Sequence, residues 1–210
     1  MRLIRPAFPV LAALAMLVSA TAAAADEFPA LYRVTGVAQN DALYIRTEPD
    51  AGSSIIGFLS PDQSGVEITA LSPDGRWGRV NYYAQSGWAH MRYLEREMEG
   101  SWRDAQTSLS CYGTEPYWRL GLYLPSDRAE FSSLSRLDDE VYELVTDSGA
   151  LPSTRFPPEL AIPFSGRREG AAILRGESCN DGMSDQEFAI SAFVFFRGDT
   201  EPFSGCCRLE

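Results

Sequence analysis

The chain has no lysine and a single histidine, His90, and both scarcities narrow the chemistry that it can perform. Without lysine there is no Schiff-base residue, no lysine general base and no phosphate-binding P-loop lysine. Its four cysteines all lie in the C-terminal half, whereas His90 lies in the other half. A Cys–His or Ser–His pair cannot form within the C-terminal half, and we expect a protein that is not an enzyme.

Positive charge is also scarce. The chain has 18 basic and 29 acidic residues, which gives a net charge of −11 at pH 7. Nucleic acid and anionic membranes carry the same sign, so we expect neither as a partner. No C-x-x-C pair is present and no histidine is near the cysteines, so we expect neither a metal site nor another cofactor.

Residues 1–25 have the organisation of a secretory signal peptide. Arg2 and Arg5 give a positive start, and the apolar run from 10 to 18 is too short to span a bilayer stably. Three alanines at 23–25 then supply the small residues of a cleavage site. The mature protein is predicted to reach the Gram-negative periplasm or to be secreted, with no stable membrane insertion after cleavage.

The pattern of the sequence changes near residue 98, and we expect two all-β domains. Residues 26–98 alternate with the period of half-buried strands, for example at 43–46 and 66–70. Segments rich in turn-forming residues separate these strands at 48–52, 60–62 and 72–75. Residues 99–106 are charged and lack an apolar stripe, which indicates a linker or a short exposed helix.

Several segments of the first domain carry a family resemblance in their order along the chain. They are Tyr32-Arg33-Val34, Asp41-Ala42-Leu43-Tyr44-Ile45-Arg46, Ile55-Ile56-Gly57-Phe58-Leu59, Gly75-Arg76-Trp77-Gly78-Arg79-Val80, Gly87-Trp88-Ala89-His90 and Tyr93-Leu94. Together, over 31–94, they resemble the bacterial SH3-like (SH3b) domain. The resemblance implies an antiparallel barrel of five to seven strands that often targets cell-wall peptides and carries no catalysis.

Aromatic side chains supply the candidate binding surface of this domain. The candidates are Tyr44, Tyr82, Tyr83 and Trp88. Adjacent strand residues face opposite ways, so one of the two neighbouring tyrosines must point outward. Trp77 is more typical of a barrel core, and His90 is expected to be a partly exposed strand-end residue rather than a ligand or base.

Residues 107–210 are predicted to form a second β domain, either a compact barrel or a sandwich. Further strand signals occur at 118–124, 141–145 and 171–174. Residues 188–196 are apolar on nearly both faces and predict a central strand covered on both sides. The four prolines of 151–165 predict a wrapping loop, and 132–140 forms at most one short helix.

The cysteines predict two disulfides. Cys206 and Cys207 are neighbours, and disulfide geometry seldom allows neighbours to bond to each other. Each should therefore bond to Cys111 or Cys179, in either of two pairings, with no free thiol. If the terminal segment is extended, one bridge faces inward and the other outward, and each stabilises the domain by roughly 2–4 kcal/mol.

Three motifs cover the second domain from end to end. They are Cys111-Tyr112-Gly113-Thr114-Glu115-Pro116-Tyr117-Trp118, Cys179-Asn180-Asp181-Gly182-Met183-Ser184-Asp185 and Gly205-Cys206-Cys207. Together they resemble a family of uncharacterised exported Gram-negative domains with the patterns C-x-G-x-E-P-[FY]-W, C-x-D-G-M-S-D and G-C-C. That family often occurs on lipoproteins and sometimes beside lysozyme-inhibitor domains, which implies a role in the envelope but no particular activity.

The acidic residues of these motifs have two interpretations. The spacing of Asp181, Asp185 and Glu187 is not that of a calcium loop, which favours a turn in which Asp181 caps its own backbone and Gly182 has positive φ. Alternatively, Glu115 with a raised pKa could be a general acid that works with Asp181 or Asp185, as in glycosidases. A structural carboxylate is the commoner case.

The sequence thus predicts a non-enzymatic periplasmic binding protein whose SH3-like domain contacts peptidoglycan peptide or an envelope protein. Two alternatives remain. One is an inhibitor of lysozyme-like enzymes, because an acidic surface complements a basic enzyme. The other is a carboxylate-dependent peptidoglycan hydrolase centred on Glu115.

Overall fold

A computed structural model of the chain describes residues 28–97, 100–134, 142–146, 151–153 and 159–210. Within these ranges the chain forms β-strands and three short 3-10 helices but no α-helix, which confirms the predicted all-β class. The same ranges contain no helix long and apolar enough to cross a membrane. The predicted signal peptide and most of the short helix proposed at 132–140 lie outside them.

The N-terminal domain is a small barrel made of two antiparallel sheets. Its strands are β1 (Ala30–Val34), β2 (Leu43–Arg46), β3 (Ile55–Leu59), β4 (Val66–Ile68), β5 (Ala70–Leu71), β6 (Trp77–Tyr82), β7 (Gln85–His90) and β8 (Leu94–Arg96), with a 3-10 helix at Met91–Tyr93. One sheet has the order β4-β1-β8 and the other β3-β2-β7-β6-β5. Because only Thr69 separates β4 from β5, this chain segment passes from one sheet to the other and closes the core.

The C-terminal domain is a closed barrel of eight strands, not a sandwich. Its strands are β9 (Leu109–Thr114), β10 (Tyr117–Tyr123), β11 (Arg128–Ser133), β12 (Tyr142–Thr146), β13 (Leu151–Ser153), β14 (Glu159–Gly166), β15 (Gly170–Cys179), β16 (Phe188–Phe196) and β17 (Phe203–Leu209), with 3-10 helices at Trp102–Asp104 and Leu124–Ser126. The sheet runs β12-β11-β10-β9-β17-β16-β15-β14, and β12 also pairs with β14, which closes it. β13 pairs with β14 beside that closure.

Aromatic rings fill the interior of this second barrel. Phe131 lies 4.6 Å from Phe196 and 5.1 Å from Phe203, measured between ring centroids. Trp118 stacks on Phe131 from the next strand, and all four rings belong to one buried cluster. An eight-stranded barrel has just enough interior for side chains to fill, so this interior is a packed core.

Trp102 corrects the expectation of an exposed helix between the domains. Its side chain is fully buried in the core of the second barrel. The short 3-10 helix that carries it begins at Ser101, whose hydroxyl accepts a hydrogen bond from the Arg103 amide. The residues around Trp102 are charged, and this concealed the apolar anchor in the sequence.

The prediction of a wrapping loop at 151–165 is wrong, because β13 and β14 lie within it. Leu160, Ile162 and Phe164 are buried at alternate positions of β14, which is the period of a strand. Pro163 lies between the residues of β14 that pair with β13 and those that pair with β12. On that side of β14 no single ladder runs past Pro163, whereas the ladder to β15 continues through the pair of Pro163 and Ala171.

The prediction that 188–196 is covered on both sides is also wrong, although the segment is a central strand. Its inward residues are buried, whereas Phe193 and Phe195 on the outer face are 48% and 47% exposed. A barrel strand has its core on one side only, so an apolar outer face need not be covered.

The two predicted disulfides are present, as Cys111–Cys207 and Cys179–Cys206. Cys111 and Cys207 are opposite each other on β9 and β17, and both belong to the interior cluster. The second bridge lies outside that cluster and ties β17 to the end of β15. The geometric expectation of one inward and one outward bridge is therefore confirmed, and the pairing that the sequence left open is now assigned.

Candidate functional site

The first concave site lies on the N-terminal barrel, and we call it the aromatic groove. Its aromatic lining consists of Tyr44, Trp77, His90 and Tyr93. The groove has a volume of about 530 Å³. Tyr44 projects from β2 because its neighbours Leu43 and Ile45 are buried, while Tyr93 comes from the 3-10 helix that follows β7.

His90 is held in the groove as a neutral ring. Its Nδ1 accepts a hydrogen bond of 3.2 Å from the Arg92 amide, and its ring centroid lies 4.9 Å from that of Trp77. Burial, followed by the positive charges of Arg92 and Arg76, lowers the pKa of His90 below its ordinary value. At neutral pH this histidine therefore adds a ring to the groove and no charge. It is the last residue of β7 and partly exposed, as predicted.

Two arginines give the groove a positive rim. Arg46 donates a hydrogen bond of 2.6 Å to the Ser53 carbonyl, which fixes its guanidinium at one edge. Arg92 is exposed, and its guanidinium carbon lies 5.1 Å from the centre of the Tyr93 ring. Asp41 is the one acidic lining residue. The groove therefore combines apolar rings with guanidinium donors, the combination that recognises peptide carboxylates.

A second feature is the junction at which the two domains meet. The Asp185 amide donates to the Ala84 carbonyl at 2.9 Å, and the Ser86 amide donates to the Asp185 carbonyl at 3.1 Å. Asp185 thereby forms a parallel bridge with Gln85, at the start of β7. The last residue of the C-x-D-G-M-S-D motif thus docks on the N-terminal barrel through its backbone.

Glu187 extends this junction with its side chain. Its carboxylate pairs with the guanidinium of Arg79, and its amide donates to the Ser86 hydroxyl at 2.8 Å. The same guanidinium of Arg79 lies 5.2 Å from the centre of the Trp88 ring. Trp88, a predicted binding residue, therefore lies beneath an arginine that is committed to the junction, and it does not line the groove.

A cleft of about 620 Å³ opens beside the junction, and we call it the interdomain cleft. Tyr82 and Tyr83 line it from the N-terminal barrel, and Gln186 and Arg208 line it from the other. Tyr83 is in the hairpin turn and 83% exposed, which agrees with the expectation that one tyrosine of the pair points outward. The four predicted binding residues are therefore divided among the groove (Tyr44), the cleft (Tyr82 and Tyr83) and the junction (Trp88).

The Asp181 loop is a capped turn, as favoured from the sequence. The Asp181 carboxylate accepts hydrogen bonds from the Met183 and Ser184 amides and from the Ser184 hydroxyl, and Gly182 has a φ of 74°. Burial alone would raise the pKa of Asp181, but these hydrogen bonds outweigh it and hold the pKa below its ordinary value. The carboxylate therefore stabilises the loop whose last residue, Asp185, contacts the other domain.

Glu115 and Asp181 line one shallow cavity of about 490 Å³, whereas Asp185 lies at the junction. Glu115 is exposed in the turn between β9 and β10. Among the described residues, no group of three or more His, Cys, Asp or Glu side chains is placed to hold a metal ion.

Sequence reasoning missed three contributors. Trp77 was placed in the core, and although it is buried its edge lines the groove. Tyr93 was noted only as part of a motif. Glu67 alternates with Val66 and Ile68 and so had the pattern of a solvent-facing strand residue, yet it lies at the interdomain cleft. The only sequence signal for Tyr93 was its place in the segment Tyr93-Leu94, beside the apolar Leu94.

The comparisons with known proteins agree with the geometry of the first barrel. Residues 41–95 match the bacterial SH3 domain family. None of the curated proteins and none of the solved structures matches the chain. The two disulfides and this domain are consistent with an extracytoplasmic protein. The matched residues, which are similar to a bacterial SH3 domain, contain Tyr44, Trp77, His90 and Tyr93.

Proposed function

We propose that the protein is a non-enzymatic, periplasmic binding protein whose SH3 domain holds a cell-wall peptide in the aromatic groove. The observation that supports this most strongly is the groove itself, with four aromatic rings and the guanidinium groups of Arg46 and Arg92 on one concave surface. Bacterial SH3 domains often have cell-wall ligands, and stem peptides carry carboxylates that suit guanidinium donors.

The proposed absence of catalysis has its own support. Glu115 is exposed, and the Asp181 carboxylate is occupied by hydrogen bonds from its own loop. Both residues therefore lack the surroundings of a general acid and its partner. The second barrel, with its packed interior, acts in this proposal as a rigid support that orients the SH3 domain.

The test is a pull-down of the mature protein with purified peptidoglycan sacculi. Tyr44→Ala should lower the bound fraction roughly tenfold, because an aromatic anchor contributes on the order of 1–2 kcal/mol to binding. Tyr117→Ala is the matched control, since Tyr117 is similarly exposed, 49% against 44% for Tyr44, but lies on the second barrel. Equal capture of wild type and Tyr44→Ala would exclude the groove.

Two further readouts separate the alternatives. Release of soluble fragments from the sacculi would contradict the proposal and support the carboxylate-dependent peptidoglycan hydrolase. Inhibition of a lysozyme-like enzyme at low salt, without capture by sacculi, would replace it with the inhibitor, because charge complementarity is strongest when screening is weak.

A further inference from the structure

The interdomain cleft is a second concave site that the groove does not explain. Its volume, about 620 Å³, lies in the range of small-molecule sites. The N-terminal barrel contributes Phe58, Tyr82 and Tyr83, and β17 contributes Arg208 and Glu210. Both domains are needed to form its walls, so the junction described above creates this site.

Glu67 is the acidic residue of the cleft that the fold leaves without a cation. One carboxylate oxygen accepts a hydrogen bond of 2.9 Å from the Leu209 amide. No ion pair within the described residues includes Glu67. Arg208 is the nearest compensating charge, but its guanidinium lies 3.9 Å from the Glu210 carboxylate. Burial therefore dominates and raises the pKa of Glu67 to about 7, against the Leu209 hydrogen bond and the charge of Arg208.

Aromatic residues of the N-terminal barrel line the same cleft as this carboxylate. Tyr82 lies flat against β3, where a β-carbon on Gly57 would come within 2.4 Å of the ring. Tyr83 meets Tyr82 edge to face, with 4.7 Å between the ring centroids. Phe58 is 56% exposed and forms the outer wall. Rings beside a carboxylate attract a cation on an alkyl chain through both its charge and its methylene groups.

The hydrogen bond to Leu209 decides which cation fits. A guanidinium binds a carboxylate best when both oxygens are available to its fork. One oxygen of Glu67 already accepts the Leu209 amide, which favours a cation that needs a single acceptor. A primary ammonium is such a cation, and the amide carbonyl of Gln186 and the Tyr82 hydroxyl offer further acceptors on the cleft wall.

We infer that the interdomain cleft binds a peptide side chain that ends in a primary amine, with Glu67 as its counter-ion. The ammonium bonds to the free oxygen of Glu67, and its alkyl chain lies against Tyr82 and Phe58. This site is separate from the aromatic groove, so one chain can hold a cell-wall peptide at two places.

The probe is Nα-acetyl-lysine amide, titrated into the isotope-labelled mature protein and followed by NMR. The amide signals of Glu67, Tyr82 and Leu209 should shift, and Nα-acetyl-norleucine amide, which lacks the amine, should leave them in place. Glu67→Gln keeps the acceptor for Leu209 and removes the charge, so it should weaken binding of the lysine probe at least fivefold. Glu95→Gln, an exposed change of equal charge on β8, is the control and should bind as wild type does.

Three results would overturn the inference: equal shifts with both probes, unchanged binding by Glu67→Gln, or shifts confined to the groove. Tyr44→Ala separates the two proposals, because it should lower capture by sacculi roughly tenfold and leave the lysine-probe shifts at the cleft unchanged. Loss of both in Tyr44→Ala would contradict a separate site.

Discussion

The two barrels differ in how many aromatic rings their cores contain. In the C-terminal barrel, Phe131, Phe164 and Phe196 are inside, together with two tryptophans. In the N-terminal barrel the core consists mainly of aliphatic side chains, with Tyr32 and Trp77 buried as well, and other aromatic residues such as Tyr44 and Phe58 lie at the surface. An aromatic side chain stabilises a fold when buried and a complex when exposed. In the proposed function, the buried rings stabilise the second barrel and the exposed rings of the first barrel contact the ligand.

The disulfides follow the same division. Both bridges lie in the C-terminal barrel, whereas the N-terminal barrel is stabilised by its sheets and hydrophobic core without a disulfide. The junction at Asp185 and Glu187 joins the two, so the SH3 domain is docked against a covalently constrained partner. A rigid support fixes the position of a binding surface without adding contacts to the ligand.

Removal of the Cys111–Cys207 disulfide, which lies inside the second barrel, should have the largest effect on stability. It tests directly whether the two barrels differ in covalent stabilisation. Cys111 and Cys207 are 96 residues apart, so their bridge constrains a long loop of the unfolded chain. The paired change Cys111→Ala with Cys207→Ala should lower the free energy of unfolding of the second barrel by about 4–5 kcal/mol. Hydrogen exchange should show lost protection in β9–β17 and largely retained protection in β1–β8.

The other bridge is the control for that experiment. Cys179 and Cys206 are 27 residues apart, so their paired replacement should cost about 1 kcal/mol less. Equal losses for the two pairs, or greater loss of protection in the SH3 domain than in the barrel, would contradict the assignment of covalent stability.

Two aromatic-to-alanine changes sharpen the comparison at a smaller scale. Phe131→Ala removes a ring that contacts three others inside the barrel and should destabilise the protein by roughly 3–4 kcal/mol. Tyr83→Ala, in the SH3 domain, removes an exposed ring and should change stability by less than about 0.5 kcal/mol. Urea denaturation of both variants measures the difference. A large loss of unfolding free energy in Tyr83→Ala would mean that this ring supports the fold.

Local patterns predicted much of the fold. The alternation of Leu43 and Ile45 with their polar neighbours gave β2, and the spacing of the cysteines gave the pair of bridges. The prediction failed at β14, where the prolines outweighed the alternation of Leu160 and Ile162. Periodicity shows which residues share a face, but it does not show whether that face is covered, as Phe193 demonstrates.

The sites were harder to predict, because they depend on contacts between distant residues. Arg79 and Glu187 are 108 positions apart, and nothing local to either marks the pair. The raised pKa of Glu67 results from burial at a cleft that exists only after both domains dock. Tyr44 alternates with the apolar residues Leu43 and Ile45 in the sequence and lines the groove, and its role in binding stays a prediction.

An effect smaller than that of Phe131→Ala tests whether the two barrels are coupled through Glu67. Its pKa is about 7 in the folded protein and ordinarily about 4.5, so the folded state holds the proton more tightly. The resulting stabilisation is complete below pH 4.5 and is lost as the pH rises through 7. Arg208 and Glu210 also line the cleft, and Tyr112, whose pKa is raised by burial to about 12, stays neutral across this range.

Glu67→Gln isolates this contribution, because the amide keeps the acceptor for Leu209 but does not ionise. The variant should match wild type at pH 4.5 and exceed its unfolding free energy by about 1–2 kcal/mol at pH 8, after allowance for solvent screening at a partly exposed group. Urea denaturation at both values measures the difference, with Glu95→Gln as the control. A parallel pH dependence of wild type and Glu67→Gln would show that docking leaves this carboxylate hydrated. The interdomain cleft would then lack the desolvated counter-ion that the amine site requires.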